Sequence, residues 1–275
     1  MKLNSFFYLL ILILFFTSCA KEIDKKSVIQ EKSLELQVLE AYEEGMKSLK
    51  SGDVLFAAKK FSEAEILYPQ SKWASQALLM SAYSYYELNF LSSAIEEIDR
   101  FILKYPQHKN ISYARFLKAI CYFESVVDEK KDLEPLKKSK KQFEYVVINY
   151  PNTEFSIDSK FKLDLINEMI ASKEMYIARH YLNKQKWIPA INRLKFIVKE
   201  YDDTIFVEEA LHRLVEVYYK IGLENESKKY AVLLGHNYPE SQWYKTSFKI
   251  HNKNYKLERD KKKNKFTIKK FKSLF

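Results

Sequence analysis

The chain has 275 residues, a formal net charge of +10 and only two cysteines, too few for a disulfide framework, so its stability rests on packing. Its four glycines stand isolated at positions 45, 52, 222 and 235, which excludes a glycine-rich phosphate loop. The charge is concentrated: eleven Lys or Arg and two acids lie between Lys249 and Phe275, leaving +1 for everything before, so the body carries no basic footprint for nucleic acid.

At the start, Lys2 precedes an unbroken apolar run from Phe6 to Phe16, followed by Thr17, Ser18, Cys19 and Ala20. Such a run falls short of the roughly 20 residues a membrane-spanning helix needs, so residues 1–18 read as a signal peptide. Cys19 stands where a lipobox places its acylated cysteine, although Phe16 occupies the usual place of Leu. One acyl chain binds a membrane marginally, at about 0.8 kcal/mol per buried methylene, so a stable tether requires several chains on Cys19. Residues 19–40 then form a linker from the anchor. Cys121, within LKAICYFE, reads as a small buried residue of a helix rather than a nucleophile.

Next comes a recurrence. Tyr68-Pro69, Tyr105-Pro106, Tyr150-Pro151 and Tyr238-Pro239 repeat, with Tyr201-Asp202 in the gap. Counting back from the closing Pro or Asp, the same residue classes return at the same offsets. The first unit has Gly45, Ala57, Phe61 and Ala64, the second Ala82, Tyr85, Ala94, Ile98 and Phe101. The fourth has Ala178, Tyr181, Ala190, Leu194 and Ile197, and the fifth Val215, Tyr218, Ser227, Ala231 and Leu234. This spacing predicts an all-α tetratricopeptide-repeat superhelix of five helix pairs over residues 41–246. Small residues let paired helices approach, larger ones fill the space beside them, and Pro closes the second helix.

Two units depart from the spacing. The third carries eight extra residues between Tyr122 and Ser139, in SVVDEKKDLEPLKKSK, which predicts a lengthened exposed turn. The fourth has fourteen extra residues, without Gly or Pro, before Ala178. That insertion is close to four turns at 3.6 residues each, so the apolar stripe keeps phase and one long helix is expected from about Asp158 to Asn183.

Little in the chain argues for chemistry. His108, His180, His212, His236 and His251 have no second ligand at metal-binding spacing. Glu96-Glu97 and Glu208-Glu209 are adjacent on helices and so face different ways, unlike an acid and base aimed at one substrate. No catalytic residue, metal or cofactor is expected. The basic tail, residues 247–275, interleaves Lys with Tyr255, Phe266, Phe271 and Phe275. RNA and an anionic lipid surface suit that composition, but a solvated disordered end is the simpler expectation, and a secretory leader argues against nucleic acid as partner.

The runs AIEEIDRFILKYPQHKNISYARFLKA from Ala94 to Ala119 and YPNTEFSIDSKFKL from Tyr150 carry a resemblance, as does the following YIARHYLNKQKWIPAINRLKFIVKEYDDT to Thr204. Together with IDRF, YPN and the Trp187–Arg193 pattern, they resemble the BamD family of outer-membrane assembly lipoproteins over about Ala41 to Thr246. The resemblance implies a non-enzymatic, lipid-anchored scaffold on the periplasmic face of the outer membrane. Its C-terminal repeats would dock a POTRA domain of the barrel subunit BamA, beside other Bam lipoproteins, and its N-terminal repeats would receive unfolded outer-membrane proteins. Arg193 of AINRL matches the family arginine implicated in the BamA contact, and a guanidinium suits a carboxylate across an interface. For the substrate groove the expectation is Tyr83, Tyr85 and Tyr86 with Arg100 and Tyr113, aromatics holding side chains and Arg a carboxylate. A cell-wall-associated repeat lipoprotein is the alternative, sharing leader and repeats but not IDRF or the long fourth helix.

Overall fold

The computed structural model describes residues 33–126 and 132–252. Cys19, the signal peptide, most of the expected linker and the tail beyond Asn252 lie outside the described residues. Among the described residues there are eleven helices and no strand. In order they are α1 Leu34–Ser51, α2 Val54–Leu67, α3 Ala74–Glu87, α4 Leu91–Lys104, α5 Ile111–Glu124 and α6 Glu134–Asn149. They continue as α7 Glu154–Asn183, α8 Trp187–Glu200, α9 Val207–Lys220, α10 Glu224–Asn237 and α11 Gln242–His251. Helices α1 to α10 pack chiefly on their neighbours in sequence, with lesser contacts between alternate helices such as α3 and α5, whereas α11 packs more on α9 than on α10. That is the one-dimensional packing of a repeat solenoid.

The repeat offsets acquire physical meaning here. Twelve residues before each closing residue stand Ala57, Ala94, Ser139, Ala190 and Ser227, all with 0% exposure where the two helices of a unit cross. The two serines are tolerated in that dry contact because each hydroxyl donates to a carbonyl of the paired helix. Ser139 reaches Ala119 O at 2.9 Å and Ser227 reaches Val215 O at 2.7 Å, so no polar group is stranded. Eight residues before the closing residue, Phe61, Ile98, Phe143 and Leu194 are fully buried, each stabilising the fold by roughly 1.5–3 kcal/mol.

The turn inside a unit also repeats. Gly52, Asn89, Gln185 and Gly222 have φ of 88°, 59°, 56° and 81°, all left-handed and all seventeen residues before the closing residue. Reversal between paired helices demands that conformation, which glycine adopts at no steric cost and Asn and Gln do not.

Each closing residue lies two positions past the last helical residue, as after α2, α4, α6, α8 and α10. The tyrosine before it has its own task. Tyr105 Oη donates to Pro69 O at 2.9 Å and Tyr238 Oη approaches Asp202 O at 3.5 Å, tying one unit to the marker of the unit before.

Two expectations are revised. The first helix begins at Leu34, inside the stretch assigned to a linker, because the Ser33 hydroxyl caps it by accepting from Leu36 N. Helix α11 runs to His251, so the solenoid passes Thr246. The lengthened connection in the third unit is borne out: α5 ends at Glu124 and α6 starts at Glu134, nine residues between them against three between α3 and α4, with Pro135 in the first turn of α6, where no amide donor is required. Residues 127–131 of that insertion are outside the described residues. The long helix is borne out and extended: α7 spans 30 residues from Glu154, capped by the Thr153 hydroxyl, which accepts from Ser156 N.

Candidate functional site

Arg193 lies on α8, a helix that begins at Trp187 with Pro189 in its first turn. Its Nη1 holds both carboxylate oxygens of Glu174 on α7, at 3.1 and 2.8 Å. The carboxylate side chain is 10% exposed and the arginine side chain 44%, so the pair has a buried end and a wet end. The guanidinium is thus held in place by its own chain while part of it still faces water. Two grooves meet at Arg193 and Phe196. One, about 520 Å³, is walled by Ile170, Ile177 and Lys137; the other, about 400 Å³, by Tyr181, Ile188 and Pro189. Ile188 is 65% exposed and Phe196 41%. Both grooves are mixed in character, the larger one adding Asp132, Glu134, Lys173 and Glu174 to these side chains.

A second ionic cluster braces this region from behind. Arg179 on α7 donates to both oxygens of Glu209 on α9, and Arg213 reaches the same carboxylate. Burial pushes Glu209 up, but the two guanidinium groups outweigh it and hold the carboxyl below its usual range.

The five residues expected to line a substrate groove divide into three places. Tyr83 and Tyr86, ring centroids 6.4 Å apart on α3, neighbour Tyr113 on α5. Burial pushes the Tyr113 phenol up, and the nearby Tyr83, Tyr86 and Glu87 add to that. Tyr86 donates to Glu124 Oε1 at 3.0 Å, and burial followed by that carboxylate raises it to about 12. Tyr113 in turn packs at 5.5 Å on Phe155, which Phe116 meets at the same distance. The result is an aromatic row crossing α3, α5 and α7. Tyr85 packs against the apolar cluster formed by Leu78, Ala94 and Phe101, which Tyr86 and Tyr113 also flank. Arg100 lies on α4 and is engaged by Glu97 and by the fully buried Glu65, both at 2.6 Å. A peptide carboxylate there would have to displace two existing partners.

Phe116, Phe155 and Glu124 belong to the row and were not singled out from sequence. They stand on α5 and α7, which like α3 are the first helices of successive units.

One arrangement mimics a hydrolase triad. Ser247 Oγ is 2.8 Å from His212 Nδ1, and His212 Nε2 is 3.6 Å from Glu216 Oε1. Ser247 is 0% and His212 2% exposed, so no substrate reaches either, and the set serves to lock α11 onto α9. Cys121 is buried and its thiol is pushed up to about 12 by burial, the opposite of a reactive cysteine. Among the described residues, no group of three His, Cys, Asp or Glu is placed to hold a metal ion, and no helix is long and apolar enough to cross a membrane.

Paired helices stacked by small residues, with surface grooves and an aromatic row, define a helical repeat scaffold. The chain belongs to the YfiO family of outer membrane lipoproteins, whose family model matches residues 35–234. It is 37% identical over 237 residues to the outer membrane protein assembly factor BamD of Caulobacter vibrioides, covering 86% of this chain and 76% of that protein. It is 38% identical over 209 residues to the BamD of Rickettsia prowazekii, covering 76% and 83%. Among solved structures it is similar to that of the MamA protein, at 14% identity and a TM-score of 0.38, over 80% of this chain and 97% of that one.

Proposed function

We propose that this protein is a scaffold lipoprotein of outer-membrane β-barrel assembly, binding partners without catalysing a reaction of its own. Its family and its likeness to two BamD proteins support that reading. Cys19 carries the lipid and holds the solenoid at the periplasmic face of the outer membrane. The α8 surface docks a POTRA domain of BamA, with Arg193 presenting its outer edge to a carboxylate and Ile188 and Phe196 entering an apolar contact. Nascent outer-membrane proteins lie along the row made by Tyr83, Tyr86 and Tyr113. Tyr85 and Arg100 support that surface from the interior and from the neighbouring helix layer.

The observation that carries the docking assignment is the pre-positioned, half-exposed guanidinium between two grooves of mixed polar and apolar lining. Ile188→Asp tests it without touching the core, since that side chain is 65% exposed. Co-purification from solubilised envelopes should lose BamA while circular dichroism stays unchanged. Full retention of BamA by this variant removes α8 from the interface.

A further inference from the structure

An apolar groove of about 340 Å³ lies between α10 and α11, with Ala231 and Val232 on one wall and Tyr244 and Phe248 on the other. Its origin is a break in the repeat. Eight residues before the closing residue, four units bury Phe61, Ile98, Phe143 and Leu194 completely, whereas the fifth carries Ala231. The volume that a large side chain fills elsewhere is therefore left open, and Val232 beside it is 71% exposed.

The groove lies where the chain leaves the solenoid. Asn252, the last described residue, is part of its lining, and a further 23 residues follow, from Lys253 to Phe275. We propose that the chain's own segment KFTIKKF, Lys265–Phe271, docks in this groove, placing Phe266 or Phe271 over Ala231. The tail thereby supplies in trans-helical fashion the large side chain that the fifth unit lacks.

Reach and composition select this segment over the tail's first apolar residues. The wall from Tyr244 to Asn252 is about 12 Å long at the helical rise of about 1.5 Å per residue. Tyr255 lies three residues past Asn252, about 10 Å when fully extended, too short to turn back along that wall, and Leu257, at about 16 Å, is a single apolar side chain among Lys256, Glu258, Arg259 and Asp260. Phe266 has fourteen residues of chain, about 46 Å of reach. Charge selects the orientation. Lys228 on the rim repels a lysine entering the groove, so the apolar positions go in and Lys265, Lys269 and Lys270 stay in water.

The test places the photo-crosslinking residue p-benzoylphenylalanine at position 232 of the full chain, an exposed site outside the core. After irradiation, peptide mapping of the monomer should join position 232 to residues 265–271. Phe266→Ser with Phe271→Ser should cut that adduct several-fold, while Lys265→Gln, Lys269→Gln and Lys270→Gln together should preserve it. The proposal is overturned if the adduct joins two copies, reaches only another protein, maps to residues 253–263, fails to form, or depends on the lysines rather than the phenylalanines. None of these outcomes bears on the α8 surface, which is probed separately.

Discussion

Arg193→Glu is the obvious variant for the α8 surface, and the structure shows why it should act on stability as well as on binding. The substitution removes the partner of Glu174, a residue with 7% exposure, and sets a second carboxylate beside it. Orphaning a fully buried charge costs about 3–5 kcal/mol, whereas exposed pairs are worth under about 1 kcal/mol. With an arginine side chain 44% exposed, Arg193→Ala should fall between these limits, at about 1–2 kcal/mol. Arg193→Glu should cost about 1 kcal/mol more, because two carboxylates at 4 Å repel by about 4 kcal/mol at an effective dielectric of 20 before they rotate apart. The charge swap Glu174→Arg with Arg193→Glu rebuilds the pair in reverse and should recover most of the loss. Urea unfolding of the parent, both single variants and the swap gives the coupling directly. The swap is also the cleaner binding probe, since it inverts the outward charge on a restored fold and should still release BamA. A parent and an Arg193→Ala variant with indistinguishable midpoints, together with zero coupling in the cycle, would refute the two-ended pair.

Three further outcomes are expected. Gln185→Gly should raise stability by up to about 1 kcal/mol, read as a higher thermal midpoint, because φ of 56° is strained for a residue with a Cβ. Gly45→Ala should lower it: the new Cβ would stand 2.8 Å from the buried Phe61 ring, and overpacking of about 1–3 kcal/mol exceeds the helix gain of about 1 kcal/mol. Glu216 is held down to about 2 by His212 and Arg213, against a usual value of 4.5. Its folded form therefore resists protonation, so the stability it supplies is complete above about pH 4.5 and is lost as pH falls towards 2. Urea midpoints of the parent should drop between pH 5 and pH 3 more steeply than those of Glu216→Gln, and parallel slopes would contradict this.

The fold was legible because its rule is local and repeated. Gly45, Ala82 and Ala178 recur at one offset, and a fourteen-residue insertion that keeps helical phase yields the uninterrupted α7. Boundaries were harder, since Ser33 and Pro135 act through cap geometry that apolar periodicity does not register. The site was half legible. Tyr83, Tyr86 and Tyr113 come together because they lie on first helices of successive units, but Arg100 looked available only while its partner was unknown. Glu65 stands 35 residues away, and a buried acid on a helix full of alanines carries no local sign of what it will pair with. Arg193 was similar: its motif marked the position, while the carboxylate that holds it, Glu174, belongs to the inserted helix. The role of the repeated tyrosine was hidden for the same reason, its acceptor being one full unit upstream.

That backward-pointing tyrosine gives the array a polarity. Tyr105 and Tyr238 need a carbonyl supplied by the unit before them, whereas nothing in those bonds is owed to the unit after. A chain emerging from its N-terminus offers each new unit a finished template, and shortening from the far end strands only a carbonyl that water can satisfy. Both bonds lie at the surface, so water replaces whichever partner is lost and the polarity is one of register: each of these tyrosines reads the position of the unit before it.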